Sequence, residues 1–300
     1  VTHEETIERE AETSVPRRGI AGLRIDDVRT AAEAGDKLAQ RRLGDAYILG
    51  QSVSKDFRMA AYWYHLAADQ GDPDAQKCLG NMYANGVGVE HDYERALFYY
   101  RAATAQGHAK ATFNLALMYQ IGHGVDKDYS VAYDLSLRAA KLGYASAQLN
   151  VGLLLLNGIG VTRNEMEALS WFAKAAEQGI TTAMYHLAQG YHYGQGAQMD
   201  NNSAAYWYAR AAEQGDAYAQ MNLGRFYAEG RGVKRDLLEA YKWLRLAAVQ
   251  QDKAYGLDKE CAKIAEQLNS TQVMEAMHRI DTWQPKREPR GFNQEYYYEK

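Results

Sequence analysis

The chain has 300 residues, 47% hydrophobic and 24% charged, with 26 glycines against 4 prolines and a net charge of −4. This ordinary globular composition excludes collagen and a proline-rich linker, and the acidic balance leaves no general attraction for nucleic acid or anionic membrane. Cys78 and Cys261 cannot build a disulfide framework, and the longest aliphatic run, Val151 to Leu156, falls far short of the roughly 20 apolar residues of a membrane span.

Residues 1–22 are polar and are expected to form a disordered arm. The chain opens at Val1 rather than Met. It is therefore read as a processed product with its signal peptide removed, which gives a periplasmic or cell-envelope location as the expectation and a cytoplasmic one as the alternative. Residues 23–38 read as half a repeat. A 36-residue period then runs without insertion through residues 39–252, carried by Ala39, Ala75, Ala111, Ala147, Ala183 and Ala219. Two more uninterrupted alanine series keep the same spacing, one through Ala60, Ala96 and Ala132, the other through Ala67, Ala103 and Ala139.

Each of the six units reads as two helices. In the second, helix A covers Ala75 to Asn85, a connector covers Gly86 to Asp92, and helix B covers Tyr93 to Gln106. Asp56, Asp92, Asp128, Asn164, Asp200 and Asp236 stand where helix B needs an N-cap. Trp63, Tyr99, Leu135, Trp171, Trp207 and Trp243 share one slot on helix B and are expected in the core. The glycine that closes each unit becomes Gln251 in the sixth. Residues 253–283 then read as two capping helices, Lys253 to Leu268 and Thr271 to Thr282, with Ser270 as cap. Residues 284–300 read as an extended tail ending in Phe292 and Tyr296-Tyr297-Tyr298. A single helix pair cannot bury its apolar face, but stacked pairs can. The expected fold is an all-α, right-handed solenoid of about fifteen helices with no β-sheet.

The residues Leu79, Gly80, Tyr83, Gly86, Gly88, Val89, Asp92, Ala96, Ala103 and Gly107 resemble the consensus of the Sel-one-like repeat, a relative of the tetratricopeptide repeat. The likeness covers about residues 24–283. It implies a protein-interaction scaffold or adaptor, and many bacterial members work in the cell envelope. Members with two cysteines in every repeat form a separate group that this chain does not match.

Motifs for chemistry are few. Ser52-Val-Ser-Lys55 fits the S-x-x-K pattern of penicillin-binding enzymes, but the chain has no S-D-N or K-T-G partner, and Ser52 fills a slot that is glycine in the other five units. His186 and His192 are six apart, a spacing that does not place two metal ligands on one helix face. The sequence assigns no catalytic residue, no metal ligand and no cofactor.

The informative positions are those of helix A that a tetratricopeptide-like stack turns toward a concave groove. They give Arg41 in unit one, Lys77 and Asn81 in unit two, and Phe113, Asn114 and Leu117 in unit three. Unit four gives Leu149, Asn150 and Leu153, unit five Tyr185, His186, Gln189, His192 and the neighbouring Tyr193, and unit six Asn222 and Arg225. The expected ligand is a peptide or a partner protein. Its apolar side chains would lie on Phe113, Leu149 and their neighbours, its acidic residues would face Arg41, Arg42 and Lys77, and Asn114, Asn150 and Asn222 would hold its backbone. An immunity or inhibitor protein that clamps one enzyme is the alternative, and a penicillin-binding enzyme a lesser one. Self-association through the tyrosine-rich tail is a further expectation.

Overall fold

The computed structural model of the protein describes residues 24–250 and 256–286. The expected polar arm and the tail aromatics Phe292, Tyr296, Tyr297 and Tyr298 lie outside the described residues. Two compact units meet in sequence between Tyr144 and Ala145. The first holds α1 (Ile25–Glu33), α2 (Lys37–Leu49), α3 (Phe57–Asp69), α4 (Pro73–Asn85), α5 (Tyr93–Ala105), α6 (Ala109–Ile121) and α7 (Tyr129–Lys141). The second holds α8 (Ala145–Asn157), α9 (Glu165–Glu177), α10 (Thr181–Tyr193), α11 (Asn201–Glu213), α12 (Ala217–Glu229), α13 (Leu237–Gln250), α14 (Leu257–Ala265) and α15 (Ser270–Asp281). Within each unit every helix up to α14 packs on the next, and α15 packs on α13. The all-helical, stacked-pair architecture of an α-solenoid is as expected, with no strand among the described residues and no described helix long and apolar enough to cross a membrane.

Helix B begins where the cap series places it. The side chains of Asp56, Asp92, Asp128, Asn164, Asp200 and Asp236 each accept a backbone N–H two or three residues on. Helix A begins two residues earlier than its alanine marks, because Asp36, Asp72 and Asp216 cap it in the same way. His108 does the same through Nδ1. Asn269, not Ser270, caps α15, in a reciprocal capping box with Gln272.

The two helices of a pair approach unusually closely. The alanines at 60, 96, 132, 168, 204 and 240 are all fully buried. Helix A contributes glycine at the crossing, and helix B lays a large side chain over it twenty residues later. A Cβ added at Gly44 would lie 2.7 Å from the Tyr64 ring, at Gly152 2.5 Å from Phe172, and at Gly224 2.7 Å from Leu244. In the third and fifth repeats helix A carries Ala116 and Ala188 instead, opposite Ser136 and Tyr208, and all four are fully buried. A polar ladder adds to this packing. Gln70 donates to Gln40 at 2.8 Å, Gln106 to Gln76 at 2.9 Å, Gln178 to Gln148 at 2.7 Å and Gln250 to Gln220 at 3.1 Å.

Of the expected aromatic slot, Trp63, Leu135, Trp171 and Trp243 are buried, whereas Tyr99 and Trp207 are half-buried. The Trp207 ring lies under the Arg210 guanidinium, 5.1 Å from its centroid.

Two substitutions test this packing. Gly88 has φ +70°, and a side chain there would run into the Phe57 carbonyl, so Gly88→Ala should cost at least about 1–3 kcal/mol. Ser52 is the one non-glycine with positive φ among the described residues (62°), so Ser52→Gly should be neutral or stabilise by up to about 1 kcal/mol. Urea-unfolding midpoints of the two variants should move in opposite directions or differ clearly in size. Ala132→Leu should overpack its crossing and lower the midpoint by about 1–3 kcal/mol equivalent.

Candidate functional site

In the first unit the expected groove residues form an internally compensated ionic cluster. Arg41 lies 3.5 Å from Asp45, 3.4 Å from Asp72 and 3.9 Å from Asp74. Asp45 is buried and accepts the Tyr64 hydroxyl at 2.8 Å. Burial pushes the Asp45 carboxyl up from its ordinary range, against the hydrogen bond from Tyr64 and the charge of Arg41. Lys77 is only 2% exposed, with Nζ 3.2 Å from Cys78 Sγ. It is therefore not a rim charge that steers a partner, as the sequence suggested. Arg41 is likewise committed to three carboxylates of its own chain. Asp74 is held down at about 2, first by its hydrogen bond with His108 at 3.1 Å. Lys110 is brought down to about 8, first by burial and then by the charge of Lys77.

The apolar and amide positions also differ from expectation. Phe113 is 3% exposed and Leu149 1%, so neither offers surface to a ligand. Phe113 meets the edge of Tyr144, with ring centroids 5.5 Å apart. Leu117 and Leu153 are half-buried. Asn114 donates to Asn81 Oδ1 at 2.8 Å, and the same oxygen accepts the Tyr100 hydroxyl at 2.7 Å. Asn150 is buried, and Asn222 donates to the Tyr218 carbonyl of its own helix at 2.8 Å. One side-chain N–H of each of Asn114 and Asn222 is thus used inside the fold.

In the second unit α10 and α12 bring accessible aromatic groups together. Tyr185 lies 5.9 Å from Tyr218 and 6.1 Å from the buried Tyr208, measured between ring centroids. The Tyr185 hydroxyl accepts from Gln189 at 2.9 Å. His192 stacks on Tyr193 at 4.2 Å, its Nδ1 is 3.3 Å from the Tyr208 hydroxyl, and its Nε2 is 3.5 Å from Arg231. His186 stacks on Phe172 at 5.0 Å. Burial lowers the pKa of both imidazoles, and the charge of Arg231 lowers that of His192 further, so both are neutral at physiological pH. Tyr193 is 56% exposed and Tyr218 39%. Arg225 pairs with Glu260 of α14 at 2.6 and 3.0 Å and so ties the capping helix to α12.

Tyr218 was not among the groove positions read from sequence. Its slot, the second residue of helix A, holds Leu38, Asp74, Lys110, Ser146, Thr182 and Tyr218, which span apolar, acidic, basic, hydroxyl and aromatic side chains. That variation was the available signal. Among the described residues no three His, Cys, Asp or Glu side chains converge as a metal site. Ser52 of the S-x-x-K match sits exposed on a connector rather than opening a helix, and the Lys55 ammonium lies over the Phe57 ring at 5.0 Å.

Lys110 and Asp74 should be visible in the pH dependence of stability. Lys110 titrates lower folded than its unfolded value of about 10.4, so its penalty is fully present below pH 8 and is relieved as pH rises toward 10. Asp74 titrates lower folded than its unfolded value near 3.9, so its contribution is present above about pH 4 and is lost as pH falls toward 2. Lys110→Met should raise the urea midpoint at pH 7 and remove the rise between pH 8 and 10; Asp74→Asn should flatten the loss between pH 4 and 2.

Six consecutive segments, residues 37–72, 73–108, 109–144, 145–180, 181–216 and 217–252, match the Sel1 repeat. Their boundaries fall at the start of helix A, two residues before the alanine marks. The crystal structure of a Sel1 repeat protein from Oxalobacter formigenes is 32% identical, covers 76% of this chain and all of its own, and superposes with a TM-score of 0.66. The protein c5321, a protective antigen present in uropathogenic Escherichia coli strains that displays an SLR fold, is 27% identical over 86% of this chain and 71% of its own, with a TM-score of 0.43. The immunity protein Pa5087 from Pseudomonas aeruginosa is 20% identical over 75% of this chain and 81% of its own, with a TM-score of 0.41. No curated protein matches the sequence. With its six repeats matched from Lys37 to Asp252, the chain belongs to the Sel1 repeat family.

Proposed function

We propose that this chain is a non-enzymatic scaffold that binds an extended peptide, or an extended segment of a partner protein, on the α10–α12 face of its second unit. Sel1 repeat proteins are generally protein-interaction scaffolds. The observation that carries the specific reading is the patch of Tyr185, Gln189, His192, Tyr193 and Tyr218, where phenol and imidazole rings lie side by side and half of Tyr193 is open to solvent. Aromatic side chains of this kind supply large contact area at small conformational cost and dominate interface energetics. Gln189, His192 and the phenol hydroxyls add donors and acceptors for a peptide backbone. The first unit's ionic cluster supports this division of labour, since its charges are matched within the chain. Leu153, half-buried on α8, contributes apolar surface in the same unit.

The test compares three full-length proteins as affinity baits in source-cell lysate. Wild type and a Tyr62→Ala, Phe98→Ala variant, altered on the exposed face of helix B, should retain the same partner. A Tyr185→Ala, Tyr218→Ala variant should lose it, with affinity for the purified partner weakened by at least about 2 kcal/mol, roughly thirtyfold. Retention by the second variant together with loss by the first would move the interaction to the helix B face and overturn this reading. A hydrolytic activity that disappears on Ser52→Ala would overturn its non-enzymatic part.

A further inference from the structure

The end of the described chain passes the turn that leads into α12, the helix that carries Tyr218. After α15 the chain crosses the turn that joins α11 to α12. Trp283 meets Trp243 with ring centroids 6.1 Å apart, and a Cβ at Gly215 would be 3.5 Å from Pro285. Lys286 then pins the chain to the last residue of α11, donating its backbone N–H to the Glu213 carbonyl at 2.7 Å and its ammonium to the Glu213 carboxylate at 3.0 Å. Tyr218 follows Gly215 by three residues, so it lies within about 11 Å of that turn. Tyr185 touches Tyr218.

We infer that residues 287–300 of this chain are a built-in occupant of the Tyr185–Tyr193–Tyr218 patch, so that a partner must displace them to bind. This deepens the proposed function by naming a competitor for the same surface. The occupant's chemistry fits. The segment carries Phe292 and the run Tyr296-Tyr297-Tyr298, and its three basic residues, Arg287, Arg290 and Lys300, balance Glu288, Glu295 and Glu299. A neutral aromatic segment suits a patch whose imidazoles are held neutral and whose nearby arginines, Arg225 and Arg231, are paired with Glu260 and Glu229. The geometry fits as well. Ten residues separate Lys286 from Tyr296, a reach of up to about 33 Å at 3.3 Å per residue, well beyond what the patch requires. A short tether gives an effective concentration in the millimolar range, so even an intrinsic Kd of about 100 µM leaves the patch about nine-tenths occupied.

The experiment titrates a fluorescein-labelled synthetic peptide of residues 287–300 into full-length proteins, followed by anisotropy. The variant Tyr296→Ala, Tyr297→Ala, Tyr298→Ala should bind the peptide about tenfold more tightly than wild type, because its own segment no longer competes. Adding Tyr185→Ala and Tyr218→Ala to that variant should abolish binding while helix content by circular dichroism stays unchanged. Equal affinity of the peptide for wild type and the triple variant, or no binding to either, would overturn the inference. So would a concentration-dependent dimer of wild type that the triple variant loses, since the occupant would then be a second copy. None of these readouts uses the lysate partner, so failure here leaves the scaffold reading standing, and loss of the lysate partner says nothing about the segment.

Discussion

Everything in this structure depends on how closely helix A approaches helix B. The crossing is made from glycine on one helix and a large ring or leucine on the other, with fully buried alanines beside them. A 13-residue helix such as α4 or α5 is too short to be stable alone in water, and a single pair has too little apolar surface to hold itself together. Close approach raises the contact made per residue and leaves each pair with apolar surface that the next pair covers. The same demand explains why the crossing slots hold so few residue types. A Cβ at Gly44, Gly152 or Gly224 would come within 2.7 Å of the facing side chain as it stands; alanine takes the slot in the third and fifth repeats, opposite Ser136 and Tyr208.

A fold held this way needs its polar groups settled with equal regularity. Each helix start is a potential set of orphan N–H donors, and the Asp and Asn caps settle one or two of them at every helix B. The glutamines do comparable work within and between repeats: Gln76 donates to the Ala68 carbonyl of the preceding repeat at 3.3 Å while accepting from Gln106 of its own. Hydrogen bonds are directional where alanine contacts are not, so the bonds of Gln40, Gln76 and Gln220 to the Ala32, Ala68 and Ala212 carbonyls orient each of those repeats on the segment before it. Repeats three and five depart from this pattern, with Thr112 and Met184 in the glutamine slot. Thr112 turns to the His108 carbonyl of its own helix, and Gln214 faces the Met184 sulfur at 3.8 Å.

The helical architecture was legible in the sequence because period, cap and glycine are local signals repeated six times. The candidate site was legible only in part. The slot of Arg41, Lys77, Phe113, Leu149, Tyr185 and Met221 was read as facing a groove, yet four of its six members are buried. Helical phase says which way a Cα–Cβ bond points; it does not say how near the next repeat's side chains come. Phe113 shows the difference, because its ring meets Tyr144, which stands in a slot that is Asp36, Asp72, His108, Ile180 and Asp216 in the other repeats. Lys77 shows it for charge. A lysine in a groove slot reads as a steering cation, but its charged neighbours include not only Asp74 on its own helix but Asp45, brought in from α2, 32 residues before it in sequence.

The two units put their variable residues to different uses. In the first, variation at the start of helix A brought Asp74 and Lys110, and the result is a set of charges that must be satisfied inside the protein because burial makes an unpaired charge costly. Such a cluster is sensitive to the loss of any one member, and it has little free charge to offer a ligand. In the second unit the same slots brought Thr182 and Tyr218, and the neighbouring ones Tyr185 and His186. Phenol and neutral imidazole tolerate partial burial without a counter-charge, since one hydrogen bond satisfies each polar end. They can remain at the surface, half in and half out of water, where a partner's side chains can complete their burial. The chemistry of the groups in the variable slots, rather than the backbone that carries them, therefore decides which part of a uniform helical stack is available for recognition.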